Sequence, residues 1–332
     1  MCTAITYKTE DFYFGRNLDL EYSYNEAVCI TPRKYAFNFR NGETLKNHYA
    51  IIGVATVCEG YPLYYEATNE KGLSLAGLNF PDIAVYNVWL DDKLNLAPFE
   101  LIPWILGRCV NVDEALFELN RVNLWSENFN SEFPLSPLHW LLSDKNASYT
   151  LEPMSDGLHI HLNPVGVLTN NPPFDYHMYN LVNYMNLTPL PPVNRFSASL
   201  DLKPYSLGMG GIGLPGDISS ASRFVRAAYT KTNSFSSADE FESVSQFFHI
   251  LDNVAQPRGL NCVRETEIED ENKSKFEYTL YSSCCNASKG IFYYKTYLNN
   301  QITAVSMHKE DIDGHDLALY PLINDEQIRF EN

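Results

Sequence analysis

Apolar positions in the first eighty residues fall into short runs broken by polar turns. Runs rich in β-branched and aromatic residues occupy 2–7, 11–16, 27–32, 50–57, 63–69 and 73–79. The breaks hold Gly, Asn or charged side chains, the pattern of strands joined by tight turns. Helical signals follow at 98–109 and 112–122, and Asn111 stands where an N-cap would cover the second of these. Strand-like runs return at 138–143, 148–153, 157–162 and 165–169, and a helix is expected over 175–186. From about 187 to 219 the chain carries Pro189, Pro191, Pro192 and many glycines, which predicts a long loop. Helices over 220–231 and 238–252 precede strands at 275–284, 290–298 and 301–307, with the charged stretch 264–275 as an exposed hairpin tip. Strands therefore flank a helical middle on both sides. That order is not the regular alternation of a doubly wound parallel fold, and it predicts an α+β fold of layered, largely antiparallel sheets. No linker divides the chain, so one domain spanning 1–332 is expected.

Composition narrows the function. Hydrophobic residues make up 45% of the 332, enough for a sizeable core, and the 22 Tyr and 19 Phe suit aromatic-rich strands. The formal net charge of -17 argues against nucleic acid and against docking on anionic membrane, both of which need clustered Lys and Arg. An anionic substrate would need local cations and apolar contact. The first eight residues lack a basic region followed by an apolar core, and no apolar run approaches the roughly 20 residues of a membrane span. Seven cysteines at irregular positions (2, 29, 58, 109, 262, 284 and 285), with no Cys-x-x-Cys pair, suit a reducing cytoplasm rather than a disulfide framework or zinc site.

The candidate chemistry lies at the start. If Lys8-Thr9-Glu10 closes the hairpin between 2–7 and 11–16, Tyr7 pairs with Asp11, Ile5 with Tyr13, Thr3 with Gly15 and Cys2 with Arg16. A guanidinium opposite a thiol favours the thiolate. Asp19 follows just past the strand end, close enough to hold a terminal amine. Removal of Met1 would give Cys2 a free α-amine. Such amines have an ordinary pKa near 7.7, so one residue supplies both nucleophile and general base. A one-residue slip of register would undo this geometry, and the hairpin alone leaves Cys2 readable as an ordinary strand residue. Other signals carry less. Gly208-Met209-Gly210-Gly211-Ile212-Gly213 lacks the strand before it and the helix directly after it that a phosphate loop requires. His159 and His161 have no acidic or Cys partner at ligand spacing, so neither metal nor cofactor is expected.

The opening Met1-Cys2-Thr3-Ala4 with Phe14-Gly15-Arg16-Asn17-Leu18-Asp19 resembles the choloylglycine hydrolase family, the bile salt hydrolases and penicillin V acylases among the N-terminal nucleophile hydrolases. The likeness continues at Asn69-Glu70-Lys71-Gly72-Leu73, Ala76-Gly77-Leu78-Asn79-Phe80 and Leu168-Thr169-Asn170-Asn171-Pro172. It closes with Gly211-Ile212-Gly213-Leu214-Pro215-Gly216-Asp217 and Ser220-Ala221-Ser222-Arg223-Phe224, and so covers nearly the whole chain.

The resemblance implies Cys2 as nucleophile, Arg16 beside its sulfur and Asp19 on the α-amine. Asn79 and Asn170 would contribute to an oxyanion hole, and Arg223, in the first turn of a helix that Ser220 could cap, would support the network. It also implies a four-layer αββα sandwich with two facing antiparallel sheets, a homotetramer, and a conjugated bile salt as substrate. The long 187–219 segment, with its prolines and apolar residues, is the candidate for part of the tetramer interface. Asn79 fits the bile salt branch, since penicillin acylases of this kind tend to carry Tyr there. Leu20, Tyr22, Tyr24, Tyr61, Tyr65, Phe133 and Leu138 are the candidates for an apolar steroid wall, with Arg16 and Arg223 as local cations. Competing readings are penicillin V or N-acyl amide acylase, a non-catalytic binder of amphipathic molecules, and acyl transfer from the thioester to other amines.

Overall fold

The computed structural model describes residues 1–263 and 276–332, so the hairpin tip expected over 264–275 lies outside the described residues. Two large antiparallel sheets dominate. The first runs from Val167–Leu168 through β1 (Cys2–Lys8) and β2 (Phe12–Leu20) to Phe276–Asn286, Ile291–Thr296 and Thr303–Ser306. The second runs Gly157–Leu162, Ser148–Met154, Leu138–Ser143, Ser74–Asn79, Tyr61–Asn69, Ile51–Cys58, β3 (Ala27–Thr31) and Ala318–Pro321.

Side-chain alternation explains the layering. Along the central strands of the second sheet Val28, Ile30, Ile52, Val54, Ala76, Leu78 and Leu141 face the first sheet in one core. Their neighbours Cys29, Ile51, Leu75, Trp140 and Leu142 turn the other way, into a second core shared with α1 (Leu101–Arg108) and α2 (Val112–Leu119). A strand buried on both faces reads as a nearly continuous apolar run, as 51–55 does. On the far side, α4 (Ser220–Asn233) and α5 (Glu240–Asp252) cover the first sheet, with the short α3 (Phe174–Asn180) against α4. The result is helix, sheet, sheet, helix: the four-layer αββα sandwich.

Local details differ from expectation. The expected helix at 98–109 begins as a 3-10 turn, Pro98–Glu100, and that at 175–186 ends as one, Leu181–Tyr184. Asn111 does cap α2, accepting from Glu114 N at 2.9 Å. That helix stops at Leu119, because Val122–Leu124 leaves to pair in parallel with Leu94–Leu96, tied there by Asn123 donating to Asn95 Oδ1 at 2.6 Å. The strand Ala318–Pro321 was not anticipated; it closes the edge beside β3.

The register of the N-terminal hairpin is corrected. Cys2 pairs with Leu18, Ala4 with Arg16, Ile5 with Gly15 and Tyr7 with Tyr13. Phe12 is buried and joins the strand, while Asp11 is drawn into the turn, where its carbonyl accepts from Thr9 N at 3.0 Å and its carboxylate from Asn286 Nδ2 at 2.9 Å. The shift is by two residues, so side-chain parity is kept. Arg16 still rises on the face of β2 that neighbours Cys2. Gly15 is required here: a Cβ would fall 2.0 Å from Ser283 O on the adjoining strand.

Candidate active site

Cys2 opens β1, 3% exposed, between the two sheets. Ahead of it the Met1 amine donates to the Glu277 carboxylate and, at 2.9 Å, to Asp19 O, while Asp19 N donates to Met1 O at 3.0 Å. Met1 thus extends the β1–β2 ladder by one pair. The Cys2 nitrogen donates to Asn170 Oδ1 at 2.8 Å.

Arg16 is wholly buried beside this strand end. Its Nη1 donates to Tyr65 O at 3.1 Å and Gly77 O at 2.5 Å, which ties β2 to the facing sheet. Nη2 is buried and has no hydrogen-bond partner among the described residues. Glu66 Oε2 lies 3.8 Å from Arg16 Nε and also accepts from Tyr281 Oη at 2.8 Å, while Glu66 Oε1 accepts from Ser283 Oγ at 2.9 Å. Burial opposes the charge on Arg16, yet the Cys2 sulfur and the Glu66 carboxylate outweigh it and hold the guanidinium above its ordinary range. Glu66, Tyr281 and Ser283 escaped the sequence reading, since nothing local marks a glutamate in an apolar strand as the partner of an arginine fifty residues earlier.

Asp19 is also fully buried, and its carboxylate accepts from Thr279 Oγ1 at 2.6 Å and Gln256 Nε2 at 2.8 Å. Asn170 is the hub. Its Oδ1 receives Cys2 N and, at 2.8 Å, Arg223 Nη2; its Nδ2 donates to Asn79 O at 2.7 Å. Asn79 ends the strand Ser74–Asn79 opposite Leu138. The next residue, Phe80, donates to Pro137 O at 2.8 Å, so ladder alternation turns the Asn79 N–H and carbonyl to the opposite edge, the side on which Asn170 sits.

Arg223 lies in the first turn of α4, where Nη1 donates to Cys2 O and, at 2.7 Å, to Thr3 Oγ1, and Nε donates to Ile218 O at 3.1 Å. Burial pulls it below its ordinary value, with Asp19 and Cys2 acting the other way. The expected cap at Ser220 is corrected: Ser219 is the N-cap, and the Ser220 hydroxyl instead accepts from Asn170 N at 2.8 Å. All six expected catalytic residues therefore gather around the start of β1.

Cys2, Arg16 and Asn79 share a cavity of 300 Å³. Of the expected steroid-facing residues, Leu20, Tyr24, Tyr65, Phe133 and Leu138 line it. Tyr61 and Tyr22 do not. Phe99 and Phe129 interpose between Tyr61 and the cavity, their rings 5.8 and 5.7 Å from its ring. Tyr22 stands outside Tyr24, its ring 4.9 Å away. Arg223, expected as a local cation, is wholly buried and does not line the cavity, and neither do Asp19 and Asn170. Leu18, Leu63, Phe99, Ile102, Phe129 and Leu135 complete the apolar wall. They come from β2, from the strand Tyr61–Asn69, from the turn and helix around 98–108 and from the loop that also carries Phe133, and only the fold reveals that these converge. Glu127 and Glu132 also line it, so the cavity carries anionic as well as apolar groups.

Residues 2–320 match the family described as linear amide C-N hydrolases, choloylglycine hydrolase family. The chain is 55% identical over 327 residues to the bile salt hydrolase/transferase of Lactiplantibacillus plantarum, covering 98% of each. It is 36% identical over 326 residues to the bile salt hydrolase/transferase of Clostridium perfringens, covering 96% of each. A solved structure of a variant of the conjugated bile acid hydrolase from Clostridium perfringens superposes with a TM-score of 0.90 at 36% identity, over 100% of both chains. The penicillin V acylase of Agrobacterium tumefaciens shares the fold at a TM-score of 0.74 and 18% identity, over 96% of this chain and 90% of that one. With that match over nearly its whole length, the chain belongs to the choloylglycine hydrolase family of linear amide C–N hydrolases.

Proposed function

We propose that the protein hydrolyses the amide bond of glycine- or taurine-conjugated bile salts, using Cys2 as nucleophile after Met1 is removed. The observation that carries the reading is the meeting of Cys2, Arg16 and Asn79 in the wall of a largely apolar cavity. The Lactiplantibacillus and Clostridium relatives are named for bile salts, which supports the substrate. A rigid apolar steroid fits a wall of Leu, Phe and Tyr, with Arg16 the cation beside the scissile amide.

In this mechanism the α-amine of Cys2 accepts the thiol proton, and Sγ attacks the amide carbon. Negative charge gathers on the former carbonyl oxygen, where the Asn79 N–H and Asn170 Nδ2 stabilise it as donors. The ammonium returns its proton to the leaving nitrogen, glycine or taurine departs, and an acyl-thioester remains. Water, deprotonated by the same amine, attacks the thioester and frees the bile acid and the thiol. An amine in place of water gives acyl transfer, in keeping with the hydrolase/transferase names of the relatives. Arg223 anchors Cys2 O and Asn170 together, and with Met1 gone the Asp19 carboxylate, held by Thr279 and Gln256, is the anion that steadies the Cys2 ammonium.

The reading extends to a single catalytic domain working in the cytoplasm, where the buried thiols at 29, 109, 284 and 285 stay reduced. It extends also to a homotetramer, supported by the exposed Phe196, Leu202, Tyr205 and Leu207 in the long loop before α4. Described helices include none long and apolar enough to cross a membrane. Product analysis with taurocholate, glycocholate and penicillin V in parallel tests the function. Both bile salts should be cleaved with the larger kcat/KM, and Cys2→Ala should cleave none of the three. Penicillin V turned over as well as the bile salts would overturn the substrate; turnover by Cys2→Ala would overturn the mechanism.

A further inference from the structure

Two buried histidines stand behind Asn170, and the proposed chemistry leaves both unused. His139 Nε2 lies 2.9 Å from Thr169 O, and His177 Nε2 lies 2.9 Å from Asn170 O. Both side chains are wholly buried. They come from different layers, His139 from the strand Leu138–Ser143 and His177 from α3. Thr169 O and Asn170 O are the carbonyls on either side of the Asn170 α-carbon. The amide between them is held at its other end as well, by Ser220 Oγ.

The rings are themselves fixed. His139 stacks on Phe80, centroids 4.2 Å apart and planes 6° apart, and its Nδ1 lies 3.2 Å from Glu152 Oε1. His177 stacks on Phe224 at 4.6 Å and 16°. Glu152, also fully buried, accepts from Phe174 N at 3.0 Å at the start of α3, so one carboxylate braces both supports. The His177 Nδ1 is buried with no partner among the described residues. A ring kept for packing alone would be better served by Phe, which brings no polar atom to desolvate. Burial pushes His177 down to about 4, which leaves a neutral ring with its single proton on Nε2, facing Asn170 O.

We infer that His139 and His177 are positioning residues for the acyl-transfer step, clamping the two carbonyls that flank Asn170 so that its carboxamide meets the developing oxyanion. The inference rests on the reading of Asn170 as an oxyanion donor. That carboxamide already serves Cys2 N, Arg223 Nη2 and Asn79 O at 2.7 to 2.8 Å, so a small backbone drift moves the donor relative to all three. Misplacement by about 1 Å can cost a hundredfold in rate.

His139→Phe and His177→Phe keep the ring stacks and remove the donor, whereas His139→Gln and His177→Gln return an N–H near the position of Nε2. With glycocholate, each Phe variant should lose about tenfold or more in kcat while KM stays within about twofold. Alkylation of Cys2 by iodoacetamide should keep its wild-type rate, and the Gln variants should recover most of the loss. If a Phe variant does not fold, the Asn variant, too short to reach the carbonyl, should show the same loss. Wild-type kcat in the donorless variants, a loss confined to KM, or Gln variants no better than Phe would each overturn the clamp. Asn170→Ala measured alongside separates the two readings. If it is inactive while the Phe variants turn over normally, only the clamp falls; if it is fully active, the role of Asn170 falls and the clamp with it.

Discussion

Arg16 carries its charge into a place almost without solvent, and the Glu66 carboxylate stands 3.8 Å from its Nε. Burial pushes the Glu66 carboxyl from 4.5 up to about 7, against the pull of Arg16, Tyr281 and Ser283. A carboxyl whose pKa is higher folded than unfolded binds its proton more tightly in the fold. Its contribution to stability is whole below pH 4.5 and is lost as the pH rises through about 7. At about 1.4 kcal/mol per unit, that is on the order of 3 kcal/mol across the window. Wild type should therefore lose stability between pH 5 and pH 8 from this group, and Glu66→Gln should flatten that part of the profile in urea unfolding. An unchanged slope in Glu66→Gln would refute the assignment. The same variant removes the counter-charge that Glu66 gives Arg16 once it ionises, so kcat should fall chiefly above about pH 7. Cys2, Arg16 and Asp19 were legible because they sit within one hairpin, where spacing decides who can meet whom. Glu66 and the two histidines were not, since each acquires its role from a segment tens of residues away in sequence.

The hairpin of β1 and β2 shows what sequence can and cannot specify at the level of elements. The strands and their shared face were readable from the apolar pattern. The register was not, because the choice between a turn at 8–10 and one at 9–11 depends on Phe12 finding a buried place and Asp11 finding Asn286 across the sheet. The function survived that error because a shift of two preserves parity, where a shift of one would have turned Arg16 away. A comparable dependence exists at α4. Ser220 was expected to cap that helix, yet its hydroxyl accepts from Asn170 N at 2.8 Å and donates to Thr169 Oγ1 at 2.9 Å, joining the helix start to the segment that carries Asn170. Ser220→Ala leaves a buried N–H without its acceptor, at a cost of about 1–3 kcal/mol. A lowered urea midpoint together with a fall in kcat is the expected result; stability and turnover both unchanged would show that the hydroxyl is dispensable.

For the whole molecule, charge and apolar surface pull in opposite directions. Each chain bears a net charge of -17, and the proposed tetramer would bring four such chains together. Salt screens that repulsion, with a Debye length near 30 Å at 0.01 M and about 10 Å at 0.1 M. Sedimentation should then show a tetramer at moderate salt and partial dissociation at low salt. Phe196→Asp with Leu207→Asp in the exposed loop should yield smaller species at any salt, and wild type sedimenting as a monomer throughout would remove the proposal. The layered fold also governs when the enzyme can first act. Asn170 and Arg223 reach Cys2 from 168 and 221 residues further along the chain. The Cys2 backbone therefore lacks these two partners until α4 has been made and docked. Ripening of activity should lag behind backbone order during refolding and keep pace with the closure of α4 onto its sheet, so that a half-built chain carries Cys2 without the network around it.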